Sequence, residues 1–186
     1  VTRTYLTHQD DGENIRLWAE TVEKQTGKPI LVKGAALCLG EELGELEKAL
    51  SKGDQAAAMD AIGDIHVAAT CLSRAVRNHH LTGKAMSLES IQVLSISYRA
   101  TVTTVMAGAM CEVARKGIRS PEEAEKILII AHQARTFVRR LAQDLGYNFH
   151  ECVEMVLDQL DKRLVQGYTM SEDGSAIKKS DQPTGR

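Results

Sequence analysis

The sequence predicts an all-α helical bundle. Apolar residues recur at three- and four-residue spacing along most of the 186-residue chain, and sustained period-two alternation is absent. Of the three prolines, Pro29 and Pro121 fall where helical patterns begin and Pro183 lies in the C-terminal segment, so none interrupts a helix. With 43% hydrophobic and 26% charged residues, the composition is that of a globular chain long enough to bury a core without disulfide or metal staples.

Each element carries its own signal. A first helix is expected over 13–25, with Ile15, Trp18 and Val22 on one face, ending at the breaker-rich link Thr26-Gly27-Lys28-Pro29. A second begins a few residues after Pro29 and follows the stripe Leu39, Leu43, Leu46, Leu50 until Ser51-Lys52-Gly53-Asp54 breaks it. A third covers 55–77, with Ile62, Ile65, Ala69, Leu72 and Val76 in helical register, and a polar break follows from Arg77 to Lys84. A fourth runs over 88–116, with Ile91, Leu94, Tyr98, Val105 and Ala109 in register, and Gly117 ends it.

Ser120-Pro121-Glu122-Glu123 combines an N-cap serine, a proline at the first helical position and a capping-box glutamate, so a fifth helix starts there and reaches Leu145. Asn148 and Glu151 repeat that logic for a sixth helix over 149–165. Asp173-Gly174 supplies a turn for a short hairpin beyond it. The organisation is one all-α domain over 1–167, with an acidic half at 13–77, a second helical half at 88–166 and a tail over 168–186.

Composition narrows the function classes. Twenty-three basic residues against 25 acidic ones leave a net charge of −2, which argues against a nucleic-acid surface, and 4% aromatics supply few base-stacking platforms. No apolar run approaches the roughly 20 residues of a bilayer span, and the stretch VTRTYLTHQDDGEN has no apolar signal-peptide core. A soluble cytoplasmic protein, of a bacterial or phage-infected cell, is expected. Cys38, Cys71, Cys111 and Cys152 form no Cys-x-x-Cys pair and read as small core residues in a reducing compartment.

The chemistry lies in an acidic constellation. Glu41, Glu42 and Glu45 sit on the second helix beside its leucine stripe, and Asp60 and Asp64 sit one turn apart on the third. A lone Glu-x-x-Glu is more often a solvated face paired with lysines such as Lys48 and Lys52. The third helix is different because Val67, Ala68 and Cys71 continue the side on which Asp60 and Asp64 project, so it is apolar nearly all round. Such a helix is buried, and buried carboxylates need cations or donors. Hard divalent cations, which take carboxylate oxygens and bridge to phosphates, are a natural partner.

GEELGELEKAL followed by DAIGDIHVAATCL resembles the MazG-like all-α nucleoside triphosphate pyrophosphohydrolases, and is similar to the dimeric dUTPases. Their pattern is Glu-Glu-x-x-Glu, a spacer, then Glu-x-x-Asp. Glu41, Glu42, Glu45 and Asp64 match it; Ala61 stands where the second-half glutamate would, with Asp60 next door as its substitute. The match covers about a third of the chain, with looser similarity at Trp18 and around Arg163.

The resemblance implies hydrolysis of a nucleoside triphosphate, with a deoxyribonucleotide favoured, to the monophosphate and pyrophosphate by water activated on carboxylate-held Mg²⁺, with Mn²⁺ as a substitute. It implies Glu42, Glu45, Asp60 and Asp64 as metal ligands and Glu41 as the residue that orients or deprotonates the water. Lys33 and Arg163 would then contact phosphates, and Asn14 and Trp18 the base or sugar. A homo-oligomer, dimer or tetramer, is also implied.

The stretch MAGAMCEVARKGIRSPEEAEKILIIAHQARTF aligns with the segment from Leu39 to Leu72 as a degenerate duplicate, with Glu112 on Glu45 and the other acids lost; His132 would then face the nucleotide pocket. A di-iron carboxylate bundle is disfavoured because no Glu-x-x-His occurs. Arg115, Lys116 and Arg119 make only a short basic patch. The remaining alternative is a catalytically inactive helical module that binds a nucleotide or a partner protein, with Ala61 marking the lost chemistry.

Overall fold

A computed structural model describes residues 11–80, 99–172, 174 and 176–178. Among them the chain forms α1 (Asp11–Thr26), α2 (Val32–Lys52), α3 (Gln55–His80), α4 (Arg99–Lys116), α5 (Pro121–Asp144) and α6 (Phe149–Gln166), then a ribbon of β1 (Tyr168–Met170) and β2 (Ala176–Lys178). This is the expected all-α architecture. None of the described helices is long and apolar enough to cross a membrane.

The centre is α3. Helices α1, α2, α5 and α6 all pack on it, and its buried residues, among them Ile62, Ile65, Val67, Ala69 and Leu72, run round its circumference. Its all-round apolarity in the sequence thus has the expected structural meaning. Helix α3 continues past Arg77 to His80, because Arg, Asn and His are polar without being helix breakers.

Helix α4 packs on the far side of α2 and α5 packs on α3, while α4 and α5 do not pair along their lengths as α2 and α3 do. The second half therefore does not repeat the packing of the first. On α4 the buried face is Val102, Met106, Met110 and Val113, whereas Val105 is 65% exposed and Ala109 half-buried. The expected stripe through Val105 and Ala109 is thus rotated. The Thr103 hydroxyl donates to Glu47 of α2 at 3.0 Å, on the same side as that buried stripe. The proposed start of that helix, with Ile91, Leu94 and Tyr98, lies outside the described residues.

The caps follow the sequence closely. Ser120 Oγ accepts from the Glu123 N–H at 3.2 Å, and the Glu123 carboxylate accepts from the N–H of Arg119, one residue earlier than a standard capping box would place it. Ser120→Ala is expected to cost about 1 kcal/mol, a drop in Tm of about 2–4 °C by thermal unfolding. Asn148 caps α6 by accepting from the His150 N–H at 3.1 Å.

Three contacts position the site. A fork of two hydrogen bonds, 2.8 and 2.7 Å, joins the Arg74 guanidinium of α3 to Glu23 of α1. The same carboxylate accepts from the Ile30 N–H at 2.9 Å, so the link before α2 is tied to α3. Second, α6 crosses α3 at Gly63, where a Cβ would stand 2.3 Å from the Cys152 carbonyl oxygen and 2.7 Å from Val156 Cγ2. Third, the ribbon lies against the same link: Gly174, at φ 81°, has no room for a Cβ, which would stand 2.5 Å from Leu31.

The cysteines divide. Cys71 and Cys152 are buried, Cys38 is half-buried and Cys111 is exposed. The expected core role thus fails for Cys111, which follows Met110 and sits about 100° round α4 from the buried face.

Candidate active site

A cavity of about 150 Å³ opens where α1, α2, α3, α6 and β1 meet. Its walls follow helical periodicity. From α2 come Gly34, Cys38 and Glu42, each one turn after the last; from α3 come Asp64, Val67, Ala68 and Cys71. The side of α3 that the sequence marked as acidic and apolar is the side that lines the cavity. Helix α1 adds Trp18, α6 adds Leu160 and Arg163, and β1 adds Tyr168.

Glu42, Asp64, Trp18 and Arg163, expected at a common site, therefore share one cavity although they come from four helices. The Gly63 contact explains how Arg163 arrives: close approach of α6 to α3 brings the end of α6 over the aspartates. One turn before Asp64, Asp60 Oδ1 accepts from Gln159 Nε2 of α6 at 2.9 Å.

The remaining expected residues fall elsewhere. Glu45 and Glu41 are exposed on α2 and do not line the cavity. Lys33 is exposed as well, since its neighbour Gly34 takes the inward position and a step of one residue turns the side chain about 100° away. Asn14 is half-buried one turn before Trp18 but outside the lining. Ala61 is buried in the core at 3% exposure, so the site takes no side chain from that position. His132 does not face this cavity. Tyr168, Cys38 and Gly34 were not anticipated. The regular 34-38-42 spacing was the available signal for two of them; nothing local marks Tyr168.

Electrostatically the lining offers one cation, Arg163, to a cluster of carboxylates. Burial, then the charges of Asp64, Glu45, Asp60 and Glu41, push the Glu42 carboxyl up to about 8. Burial and then Asp60 push Asp64 up to about 7, against the pull of the Arg163 guanidinium, with Glu45 adding to the rise. Glu42 Oε2 is buried with no hydrogen-bond partner, and Trp18 Nε1 and Tyr168 Oη are buried with no full-strength one. The two rings meet edge to face, with centroids 6.0 Å apart at 81°. Trp18 acts on the Tyr168 hydroxyl as a weak donor, while Glu42 Oε2 has no such neighbour among the described residues, and a buried orphan oxygen of this kind calls for a ligand or water.

The chain matches no protein-family model, no curated protein and no solved structure.

The donor set suits a hard divalent cation. Among the described residues no three His, Cys, Asp or Glu side chains are arranged to hold a metal by themselves. Mg²⁺ needs less than that: one or two carboxylates, with waters and substrate phosphates completing its octahedron. Glu42, with an unpartnered oxygen, and Asp64 are the two carboxylates on the cavity wall.

These shifts give a pH prediction. Folded Glu42 and Asp64 hold protons that the unfolded chain, with ordinary values of 4.5 and 3.8, has already released. Their contribution to stability therefore falls as pH rises from about 4 to about 8, opposed below about 6.5 by His66, which burial pushes down to about 3, and levels off above about 8. In EDTA, Tm is expected to fall across this window, and Mg²⁺ or Mn²⁺ to raise Tm more at pH 8 than at pH 5. Thermal unfolding at both pH values, with and without metal, checks it.

Proposed function

We propose that this chain hydrolyses a nucleoside triphosphate, a deoxyribonucleotide by preference, to the monophosphate and pyrophosphate. The observation that carries the reading is the convergence of Trp18, Glu42, Asp64 and Arg163 on a cavity with an unpartnered buried carboxylate oxygen. The aromatic and aliphatic wall from Trp18, Ile30, Ala68 and Tyr168 suits a base, with Trp18 Nε1 donating and Tyr168 Oη donating or accepting at its edge. At about 150 Å³ the cavity admits the nucleoside end only. The phosphates then run outward past Glu42 and Asp64.

Glu42 and Asp64 are the ligands for Mg²⁺, with exposed Glu45 and Gln159-bound Asp60 at the edge of the cluster. When bound, Mg²⁺ neutralises phosphate charge and lowers the pKa of a coordinated water. Arg163, which already lowers the cost of charge on Asp64, faces the phosphates as a fixed cation. Water adds to phosphorus, the bond to the bridging oxygen breaks, and the same two products form whether the α or the β phosphorus is attacked. The water's proton leaves to solvent at the mouth of the cavity, where exposed Glu41, one residue before Glu42 and outside the lining, would relay it.

A second reading, a module that binds a nucleotide without turning it over, is favoured by one feature. Asp60, the substitute for the acid absent at Ala61, is already held by Gln159. A homo-oligomer remains part of the proposal through the family resemblance.

Binding and turnover separate the two readings. Trp18 is the only tryptophan in the chain and lines the cavity, so its fluorescence is expected to change when nucleoside triphosphates are added with Mg²⁺. A saturable change accompanied by pyrophosphate release supports the hydrolase. The same change without release supports the binding module, and no change with any triphosphate contradicts both.

A further inference from the structure

A second cavity, of about 510 Å³, lies between α1, α3, α5 and α6 and shares no lining residue with the first. His66 reaches it from α3 two residues after Asp64, a turn of about 200° that puts the two cavities on opposite sides of that helix. His132, Arg135 and Arg139 come from α5, and His150 from α6. Among the described residues the lining has one carboxylate, Asp11, and His150 Nδ1 already holds it at 3.0 Å.

Among the described residues, several of this cavity's donors have no acceptor. His66 is 5% exposed and its Nδ1 has no partner; His132 Nδ1 is likewise buried and unpartnered. Arg135 and Arg139 form no ion pair with a carboxylate among the described residues. Burial and the nearby Arg77 and Arg139 charges hold Arg135 below the usual guanidinium range. His66 lines the cavity from α3 beside the α5 arginines, nearly closed off from solvent. Phe149 fixes the group: His66 stands edge-on to its ring at 5.0 Å, His150 at 5.9 Å, and the Arg139 guanidinium lies 4.9 Å from its centre.

We propose that this cavity binds a phosphate-bearing small anion, with Arg135 and Arg139 as charge partners and the His66 and His132 rings as hydrogen-bond donors. Guanidinium forks match phosphate geometry, and a dense anion removes both the cation repulsion and the orphaned ring nitrogens. A recess within a chain of net charge −2 suits a small molecule rather than a nucleic-acid strand. The site is independent of the acidic cavity and does not rest on the hydrolase reading.

The test is calorimetric titration of the full chain with inorganic pyrophosphate and with orthophosphate, in EDTA and at matched ionic strength. Saturable binding is expected, retained in Asp64→Asn and weakened at least about tenfold in Arg135→Met and in Arg139→Gln, in line with loss of a charge-assisted bond. Arg135→Met is also expected to raise Tm without ligand, since it removes a repelled, partly buried cation; this separates lost binding from lost folding. Tighter pyrophosphate than orthophosphate binding identifies a diphosphate site, and equal affinity a single-phosphate site. No binding of either anion, binding unchanged in both arginine variants, or binding lost in Asp64→Asn would overturn the assignment.

Discussion

Asp64→Ala is expected to lower kcat/KM for pyrophosphate release by at least about 100-fold, the scale of removing one preorganised charge-stabilising group. Asp64 lines the cavity, feels Asp60 as a like charge and has Arg163 as its counter-charge, so its carboxylate is a principal seat for a cation. Asp64→Asn keeps the shape and removes only the charge. It is expected to lose activity equally while raising Tm at pH 8 in EDTA, because the native repulsion and desolvation vanish with the carboxylate. Steady-state kinetics with Mg²⁺ and thermal unfolding without it give the two numbers. A variant that is less active and more stable is the mark of a functional charge held at a cost to the fold.

Gly63→Ala is expected to destabilise the fold strongly. Its Cβ would meet the Cys152 backbone carbonyl at 2.3 Å and Val156 at 2.7 Å, and a backbone atom cannot swing aside. Overpacking of this kind costs about 1–3 kcal/mol, or up to about 10 °C in Tm for a chain of this size. The damage also reaches the site, because α6 must move off α3 and takes Gln159 and Arg163 with it. Reduced kcat and raised KM are expected together with the lower Tm. Gly44→Ala, exposed in the middle of α2 with open space around its Cβ position, is the control: its activity should match the parent and its Tm should hold or rise, because alanine favours a helix interior.

The contrast between these glycines shows what the sequence discloses and what it withholds. Both punctuate the acidic motifs, yet only contact with α6, far away in the chain, distinguishes Gly63. Periodicity disclosed the central position of α3, and the coincidence of acids with an apolar second face disclosed Glu42 and Asp64. Lys33 and Glu41 lie one residue from lining positions and outside the cavity, because a 100° step separates it from solvent. Periodicity failed on α4 because two apolar stripes compete there, and the one through Val102, Met106, Met110 and Val113, not the one through Val105 and Ala109, is buried. The cationic cavity was invisible: His66, Arg135, Arg139 and His150 lie on three helices and form no local motif. Tyr168, on a strand after the last helix, was hidden for the same reason.

The most direct measurement is phosphorus NMR of the products formed from a panel of ribo- and deoxyribonucleoside triphosphates with Mg²⁺, beside the same reactions in EDTA. The expected result is a nucleoside monophosphate and pyrophosphate in equal amounts from one or a few members of the panel, and nothing in EDTA. Orthophosphate with a nucleoside diphosphate, or no turnover of any triphosphate, would contradict the proposed chemistry.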